Sequence, residues 1–213
     1  MPAPNNCIKL SVLILSIPSR NSQMIDLFNK LQAQVAFLSE CQSVELLVLM
    51  DNFSKSIADK RNDLLRASRG KYVAFLDDDD DVREDYIAAL IRVINSGNSP
   101  DCITFKQHCL IDGDPLIVTF GIGHPHGELV RDQSGSLMNI KRPPYHMCLW
   151  RRELALSEQF NSVYGKNGQS TEDIDWLLRL YPKTKTEFHI DAVLHCYIYN
   201  SKTTASLIPR DLQ

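Results

Sequence analysis

Five consecutive aspartates, residues 77–81, carry the clearest chemistry in the sequence. They directly follow residues 72–76, an apolar run whose aromatic and branched side chains predict a strand buried on both faces. Adjacent carboxylates repel one another, and burial removes their hydration. A divalent cation such as Mg²⁺, Mn²⁺ or Ca²⁺ would offset both costs, because these ions prefer oxygen ligands. Alternatively, Asp80 and Asp81 cap a helix that begins near Val82 and the other carboxylates are solvated.

The segments around the acidic run predict the elements that position it. Apolar runs predict further strands at residues 10–17 and 44–50 and from residue 102 onwards. Helical spacing of apolar residues is found at 22–38, about 56–66 and about 82–94. Alternating strands and helices predict a parallel, doubly wound sheet, which binds ligands beyond the carboxyl ends of its strands. Ser19 and Arg20, Asp51 and the acidic run follow three such ends and are expected to share one crevice.

Local signals refine this outline. Ser56 and Asp59 have the form of a capping box, and Gly70 is placed to stop the helix that follows them. Residues 110–141 predict short strands and a loop, and residues 151–157 a short helix. Another helix is expected after Ser170 or Thr171, then a strand at 188–199. Residues 203–213 are expected to form a loose tail.

Composition bounds the class of protein. The 213 residues fit one domain with a sizeable core. A formal net charge of −3 gives no attraction to nucleic acid or to an anionic membrane. The six cysteines include no C-x-x-C pair and are expected to be free thiols in a reducing compartment. The apolar run at 12–17 lacks the features of a signal peptide, and no window has the length of a membrane span. These features predict a soluble, cytoplasmic protein.

Two families with known aspartate motifs have patterns similar to the acidic run. An EF-hand loop that starts at Asp77 would need Gly and Glu where this chain has Val82 and Ala88, which excludes it. A haloacid-dehalogenase phosphatase needs Asp-x-Asp-x-Thr/Val, which Asp78, Asp80 and Val82 supply. That signature normally follows the first strand of its domain, whereas two strand–helix units precede it here. The phosphatase therefore remains the alternative.

Several motifs occur in an order that resembles the family-2 glycosyltransferases of the GT-A fold. The family's typical run, A-x-G-x-Y followed by an apolar stretch and L-D-x-D-D, is matched by residues 67–80. The other matching segments, in chain order, are Pro18-Ser19-Arg20, Asp51, Lys60-Arg61-Asn62, Thr171-Glu172-Asp173 with Asp175-Trp176, and Leu194-His195-Cys196-Tyr197. The resemblance spans about residues 9–200. The small size is similar to that of members from bacteriophages, large DNA viruses or bacteria.

The resemblance implies a Rossmann-like, doubly wound and mostly parallel sheet flanked by helices, with a smaller C-terminal acceptor side. The whole chain, 1–213, would be one glycosyltransferase domain. Residues 9–107 would bind the nucleotide sugar, and residues 108–200 would bind the acceptor and supply the catalytic base. The donor would be a UDP-sugar, the cation Mn²⁺ or Mg²⁺, and the acceptor a hydroxyl of a glycan or of another molecule.

The resemblance also assigns roles to residues. Asp173 is the implied catalytic base, which the attacking hydroxyl needs because it is a poor nucleophile near neutral pH. Asp79 and His195 are the implied metal ligands. Residues expected to bind the donor are Ser19, Arg20, Asp51, Arg61, Asp77 and Asp78. Residues expected on the acceptor side are Glu172, His146 and Trp176.

Further expectations concern the reaction. A single in-line displacement with one base inverts the anomeric configuration. Glu172 and Asp175 are expected to raise the pKa of Asp173 by like-charge repulsion. The Gln-x-x-Arg-Trp motif and membrane helices of the processive synthases are absent from the sequence, which predicts a single sugar transfer. A non-catalytic module that binds nucleotide sugars or glycans is the remaining alternative.

Overall fold

The computed structural model describes residues 7–125, 128–131, 133, 137–165, 168 and 170–199. The tail expected at 203–213 lies outside these residues. The described strands form one ten-stranded sheet, with β2-β1-β3 as its parallel part. Strands β1 (Leu10–Ser16), β2 (Val44–Met50) and β3 (Tyr72–Asp77) lie within one residue of the predicted bounds. Every residue of β1 is buried, as expected for a central strand between two parallel neighbours.

Helices connect these strands as the alternating pattern predicts. Helix α1 (Asn21–Ala36) lies between β1 and β2, and α2 (Ile57–Ala67) lies between β2 and β3. Helix α3 (Tyr86–Asn95) follows β3 in the chain. The capping box at the start of α2 is confirmed, because Ser56 Oγ accepts the Asp59 N–H at 3.0 Å. The start predicted for α3 at Val82 is wrong. Residues Asp81–Val82 instead form a short strand, β4, and Asp85 is the N-cap of α3.

The second half of the chain completes a mixed sheet. The remaining strands are β5 (Cys102–Ile111), β6 (Asp114–Phe120), β7 (Glu128–Arg131), β8 (Leu137–Arg142), β9 (Leu149–Arg151) and β10 (Glu187–Tyr199). The short β9 lies between β3 and β5, antiparallel to both, so β3 and β5 run in the same direction. On the other edge of β5, β10 pairs in parallel and carries β4 along its own far edge. Helices α4 (Arg152–Ala155) and α5 (Glu172–Leu180) precede β10.

Gly70 has a different role from the helix stop that the sequence predicts. Helix α2 ends at Ala67, and its C-cap residue Ser68 is already extended. A Cβ atom at Gly70 would lie 2.5 Å from the backbone nitrogen of Ser11 and 2.7 Å from the carbonyl oxygen of Tyr72. The glycine is therefore required by the close approach of β1 to the turn before β3.

The expected fold class is confirmed: helices flank a sheet whose N-terminal half is parallel and doubly wound. Among the described residues, no helix combines the length and the apolar composition needed to cross a membrane. The carboxyl ends of β1, β2 and β3 open onto the side of the sheet where the acidic run lies.

Candidate active site

The first feature of the site is a histidine that links two distant carboxylates. Asp77 ends β3, and Asp173 lies in the first turn of α5. His146 lies between them, with Nδ1 at 3.2 Å from Asp173 Oδ2 and Nε2 at 3.9 Å from Asp77 Oδ2. The side chain of His146 is largely buried. The acidic run and the predicted base therefore belong to one site, although almost a hundred residues separate them in the sequence.

Arg61 of α2 forms a second link between the same two elements. Its Nη2 lies 3.2 Å from Asp77 Oδ1, and its Nε lies 3.2 Å from Glu172 Oε1. The guanidinium group is 5.4 Å from the ring centre of Phe75 and 5.9 Å from that of Phe160. Burial opposes its charge, but Asp77, Glu172 and Asp173 outweigh burial and raise the pKa of Arg61. This arginine is a permanent positive charge beneath the site.

The five aspartates point to different partners. Asp77 pairs with Arg61, Asp81 with Lys30, and Asp80 Oδ2 lies 3.2 Å from His195 Nε2. Asp78 and Asp79 share one cation, because Arg20 Nη1 lies 3.0 Å from Asp78 Oδ1 and 2.9 Å from Asp79 Oδ2. The repulsion within the run is thus relieved largely by cations from other parts of the chain.

Asp78 faces inward, which corrects its predicted contact with the donor. Only 3% of the residue is exposed. Its Oδ2 accepts a hydrogen bond from Ser16 Oγ at 2.8 Å and a longer one from the backbone of Ile17 at 3.4 Å. With the ion pair to Arg20, these contacts occupy both carboxylate oxygens. Asp78 therefore anchors Arg20 and the end of β1.

Asp79 is the carboxylate of the run with the least compensation. It shares Arg20 with Asp78, and a quarter of its side chain is exposed. Burial and the neighbouring carboxylates Asp77, Asp80 and Asp78 exceed the influence of Arg20 and raise the pKa of Asp79 to about 6. A cation bound here would remove an unfavourable excess of negative charge.

The donor set fits a magnesium or manganese ion held jointly with a ligand. Among the described residues, no group of three His, Cys, Asp or Glu side chains is arranged to hold a metal. Mg²⁺ rarely needs such a cage, because it binds through one or two carboxylates and the phosphates of the substrate. Asp77 and Asp79 are accessible, with 39% and 25% of their side chains exposed, whereas the more exposed Asp81 is paired with Lys30 at the outer end of the run.

His195 lies beside the acidic run, but it is buried more deeply than expected for a residue that binds the same metal ion as Asp79. It is fully buried on β10, and its Nδ1 lies 3.0 Å from Gln107 Nε2. Its other ring nitrogen faces Asp80. The amide of Gln107 donates to Nδ1 in one orientation and accepts from it in the other, which determines whether Nε2 carries a proton. Metal binding by His195 stays a prediction.

Asp173 is an ionised carboxylate whose neighbours are neutralised. Burial alone would raise its pKa, but the close contact with His146, followed by the charge of Arg61, lowers the pKa of Asp173 well below its usual range. The expected increase by like-charge repulsion is wrong, because Glu172 is paired with Arg61 and Asp175 with Arg179. Asp173 is therefore ionised near neutral pH.

The three residues expected on the acceptor side have other positions. Glu172 is buried against Arg61, and His146 is buried between the two carboxylates. Trp176 is fully buried; its ring stacks on Phe160 at a centroid distance of 4.5 Å, and its Nε1 donates to the carbonyl of Glu158. Glu172 contacts Arg61 and His146 contacts Asp77 and Asp173, so both residues support the site. Trp176 belongs to the core beneath it.

At the ends of β1 and β2, the residues predicted to contact the donor differ in their surroundings. Ser19 is exposed in the short turn after β1. Asp51 Oδ1 lies 2.8 Å from Lys60 Nζ, and Asp51 Oδ2 accepts from Ser54 Oγ and the Lys55 N–H. These contacts match the turn role that a residue of this type often has. A contact of Asp51 with a nucleobase stays a prediction.

Sequence reasoning missed several supporting residues. Lys60 is buried and reaches both Asp51 and the carbonyl of Ser16. Tyr145, next to His146, places its hydroxyl in hydrogen-bond contact with Asp173, and burial and that carboxylate raise the pKa of Tyr145. A buried lysine in a helix and a tyrosine in an irregular segment carry no distinctive spacing. The usable signals were the position of Lys60 in the segment Lys60-Arg61-Asn62, which resembles the family, and the adjacency of Tyr145 to His146.

The comparisons with known proteins agree with this site. The sequence model of the family described as "Glycosyl transferase family 2" matches residues 31–110, which run from α1 to the end of β5. No curated protein matches the sequence. The matched part includes the acidic run, Asp51 and Arg61.

Solved structures share the fold. The crystal structure of S. aureus TarS 1-349 matches with a TM-score of 0.56 and 15% identity, over 89% of this chain and 60% of that one. Its complex with UDP-GlcNAc matches with a TM-score of 0.57 and 15% identity, over 91% of this chain and 59% of that one. The chain thus spans about three-fifths of the TarS structures that it matches. At this identity the likeness is one of fold.

The sheet, its flanking helices and the carboxylates at the strand ends define a GT-A-type glycosyltransferase fold. Within this fold, residues 31–110 are similar in sequence to glycosyl transferase family 2.

Proposed function

We propose that the protein transfers a sugar from a nucleotide sugar, a UDP-sugar, to a hydroxyl group of a glycan or other acceptor, with inversion at the anomeric carbon. The observation that carries this proposal is the link through His146 between Asp77 and Asp173. It joins a carboxylate that is suited to bind a cation with a carboxylate that is suited to act as a base. A glycosyl transfer needs both in one crevice.

The chemistry assigns a task to each side of the site. As the bond between the anomeric carbon and the diphosphate breaks, negative charge accumulates on the leaving group. A divalent cation held by Asp77 and Asp79 would stabilise that charge. Asp173 accepts the proton of the acceptor hydroxyl while its oxygen forms the new bond to the anomeric carbon. Arg61 and His146 hold the two carboxylates in place and keep Asp173 ionised.

Three observations support the choice of donor and the single transfer. S. aureus TarS, which shares the fold, has been crystallised with UDP and with UDP-GlcNAc. The site in this protein lies at the carboxyl ends of parallel strands, which is where nucleotides bind in doubly wound sheets. The chain lacks the Gln-x-x-Arg-Trp motif of the processive synthases. The proposed product is therefore an acceptor extended by one sugar.

A thermal-shift screen of nucleoside diphosphates, with and without MnCl₂, tests the proposal. UDP is expected to raise the melting temperature in the presence of Mn²⁺, and to do so less with EDTA. Release of UDP from a UDP-sugar by the wild-type protein then separates an enzyme from a binding module. If no nucleoside diphosphate stabilises the protein under either condition, the proposal is wrong.

The phosphatase alternative has little structural support. Its nucleophile would be Asp78, which is buried and hydrogen-bonded to Ser16. The fold and the family match also differ from those that the alternative requires. Hydrolysis of a simple phosphomonoester that depends on Asp78 would nevertheless revive it.

A further inference from the structure

The position of Arg20 suggests a function beyond a contact with the donor. Its Nη1 atom alone lies within 3.0 Å of Asp78 Oδ1 and 2.9 Å of Asp79 Oδ2. A fifth of its side chain is exposed, so Arg20 is not part of the core. The guanidinium group therefore provides positive charge at the carboxylate that a divalent cation would use.

The two ion pairs of Arg20 are unequal. Asp78 is buried and is held from behind by Ser16 and the backbone of Ile17, so its position is fixed. Asp79 is partly exposed, and Arg20 is the basic residue paired with it among the described ion pairs. A cation that approaches from solvent can therefore reach Asp79 but not Asp78. If a cation replaces Arg20 at Asp79, the ion pair between Arg20 and Asp78 can remain intact.

We infer that Arg20 is a built-in counter-ion that neutralises Asp79 in the metal-free protein and is exchanged for a divalent cation when the donor binds. This inference rests on the proposed function, because the exchange has a use only if a diphosphate arrives with the cation. Once displaced from Asp79, the guanidinium group remains anchored by Asp78 and has donors free for a phosphate oxygen.

The exchange has a thermodynamic consequence. A cation that binds alone must break the contact between Arg20 and Asp79 and leaves two positive charges close together. A cation that binds with a diphosphate avoids this cost, because the phosphate provides a new partner for the arginine. Cation and diphosphate should therefore strengthen each other's binding, and the coupling is reciprocal.

The test measures the affinity of Mn²⁺ alone, and then of Mn²⁺ with UDP, by isothermal titration calorimetry. Arg20→Gln is expected to bind Mn²⁺ alone roughly fivefold more tightly than the wild type, the factor typical of a partly exposed ion pair. The increase in Mn²⁺ affinity caused by UDP should be smaller in this variant. Asp79→Asn in the Arg20→Gln background should remove the gain, which assigns it to Asp79.

Lys30→Gln is the matched control, because it also removes a cation from the acidic run. Lys30 Nζ lies 2.9 Å from Asp81 Oδ1 and 3.3 Å from Glu84 Oε1, at the outer end of the run. Its Mn²⁺ affinity should equal that of the wild type. Equal or weaker binding of Mn²⁺ by Arg20→Gln would overturn the inference, as would an equal gain in Lys30→Gln.

Arg20→Lys covers the case in which the glutamine variant does not fold. A lysine keeps the charge on a shorter side chain and should pair less closely with Asp79, so the affinity of this variant for Mn²⁺ alone should lie between those of the wild type and Arg20→Gln. An unchanged affinity would contradict the inference. The arm with Mn²⁺ alone contains no nucleotide, so its outcome is separate from UDP binding by the wild type, which tests the proposed function itself.

Discussion

His146 Nδ1 lies 3.2 Å from Asp173 Oδ2, in a buried position behind the crevice. This contact orients the carboxylate of the proposed base and keeps it ionised. The opposite edge of the same imidazole faces Asp77, at the end of β3. One side chain thus fixes the position of the base relative to the carboxylate proposed for the cation. Efficient transfer depends on that distance, because the hydroxyl must attack in line with the departing diphosphate.

Replacing Asp173 with Asn should abolish transfer while leaving donor binding intact. The amide cannot accept the hydroxyl proton, and loss of a general base typically costs about 10²–10⁴-fold in rate. Turnover is measured as UDP release, and UDP affinity by calorimetry. Asp175→Asn is the control, because Asp175 is in the same helix but pairs with Arg179 and Asn161. Equal activity in Asp173→Asn and the wild type would exclude Asp173 as the base.

Replacing His146 with Phe should lower kcat more than it changes donor affinity, because Asp173 loses its orienting partner. It should also move the acid limb of the pH–rate profile upward. In the wild type the pKa of Asp173 is held below its usual range, so the base stays ionised in mild acid. Without His146, the influence of burial increases and Asp173 is protonated at a higher pH.

The same contact contributes to stability with a definite sign. Because the folded-state pKa of Asp173 is lowered, its stabilisation is fully present above the unfolded pKa of about 4 and is lost as the pH falls below that value. Comparison of acid unfolding of His146→Phe and the wild type measures this contribution. A pH–rate profile and acid transition identical to those of the wild type would argue against a positioning role for His146.

Replacing Asp79 with Asn should stabilise the metal-free protein at pH 7.5. The pKa of Asp79 is raised from 3.8 to about 6, so its ionised form costs folding free energy above pH 6. The full change corresponds to roughly 3 kcal/mol, and we expect about 1–2 kcal/mol because the side chain is partly exposed. The advantage should shrink as the pH falls through 6 and vanish below 3.8, where both states are protonated.

The measurement for Asp79→Asn is denaturant unfolding at pH 7.5 and pH 3.5, with EDTA. The same variant should lose the increase in melting temperature that MnCl₂ and UDP produce in the wild type. Destabilisation at pH 7.5 would mean that the pair with Arg20 outweighs the repulsion within the run. Retention of the full Mn²⁺ response would exclude Asp79 as a ligand.

Replacing Gly70 with Ala should destabilise the fold by about 1–3 kcal/mol, the usual cost of overpacking. The new Cβ atom would meet the backbone of Ser11 and Tyr72, which cannot move away as a flexible side chain can. Gly123 is the control, because a Cβ atom there meets nothing within 4 Å. Gly123→Ala should therefore change the free energy of unfolding by less than about 0.5 kcal/mol. Equal effects of the two substitutions would contradict this account of the turn.

Much of the scaffold could be predicted from the sequence, because its signals are local. The strands β1, β2 and β3 are continuous apolar runs, and Ser56 has its capping partner three residues away. The order of motifs also predicted that Asp77 and Asp173 share a site. Their link through His146 supports that expectation.

The rest depends on partners that are distant in the sequence. Which aspartate of the run faces the crevice is decided by Arg20, Lys30 and His195, and no spacing rule pairs them. Three-residue β9 is too short to give a periodic signal. The expected acceptor contact of Trp176 failed because an amphipathic helix presents its aromatic residue to the core as readily as to a ligand.

The most direct test of the central claim is a crystal structure of the protein with UDP and MnCl₂, collected at a wavelength at which manganese scatters anomalously. We predict an anomalous peak in contact with Asp79 and the diphosphate of UDP, in the crevice onto which Asp173 opens. A manganese peak away from residues 77–79, or UDP bound on another face of the sheet, would contradict the account.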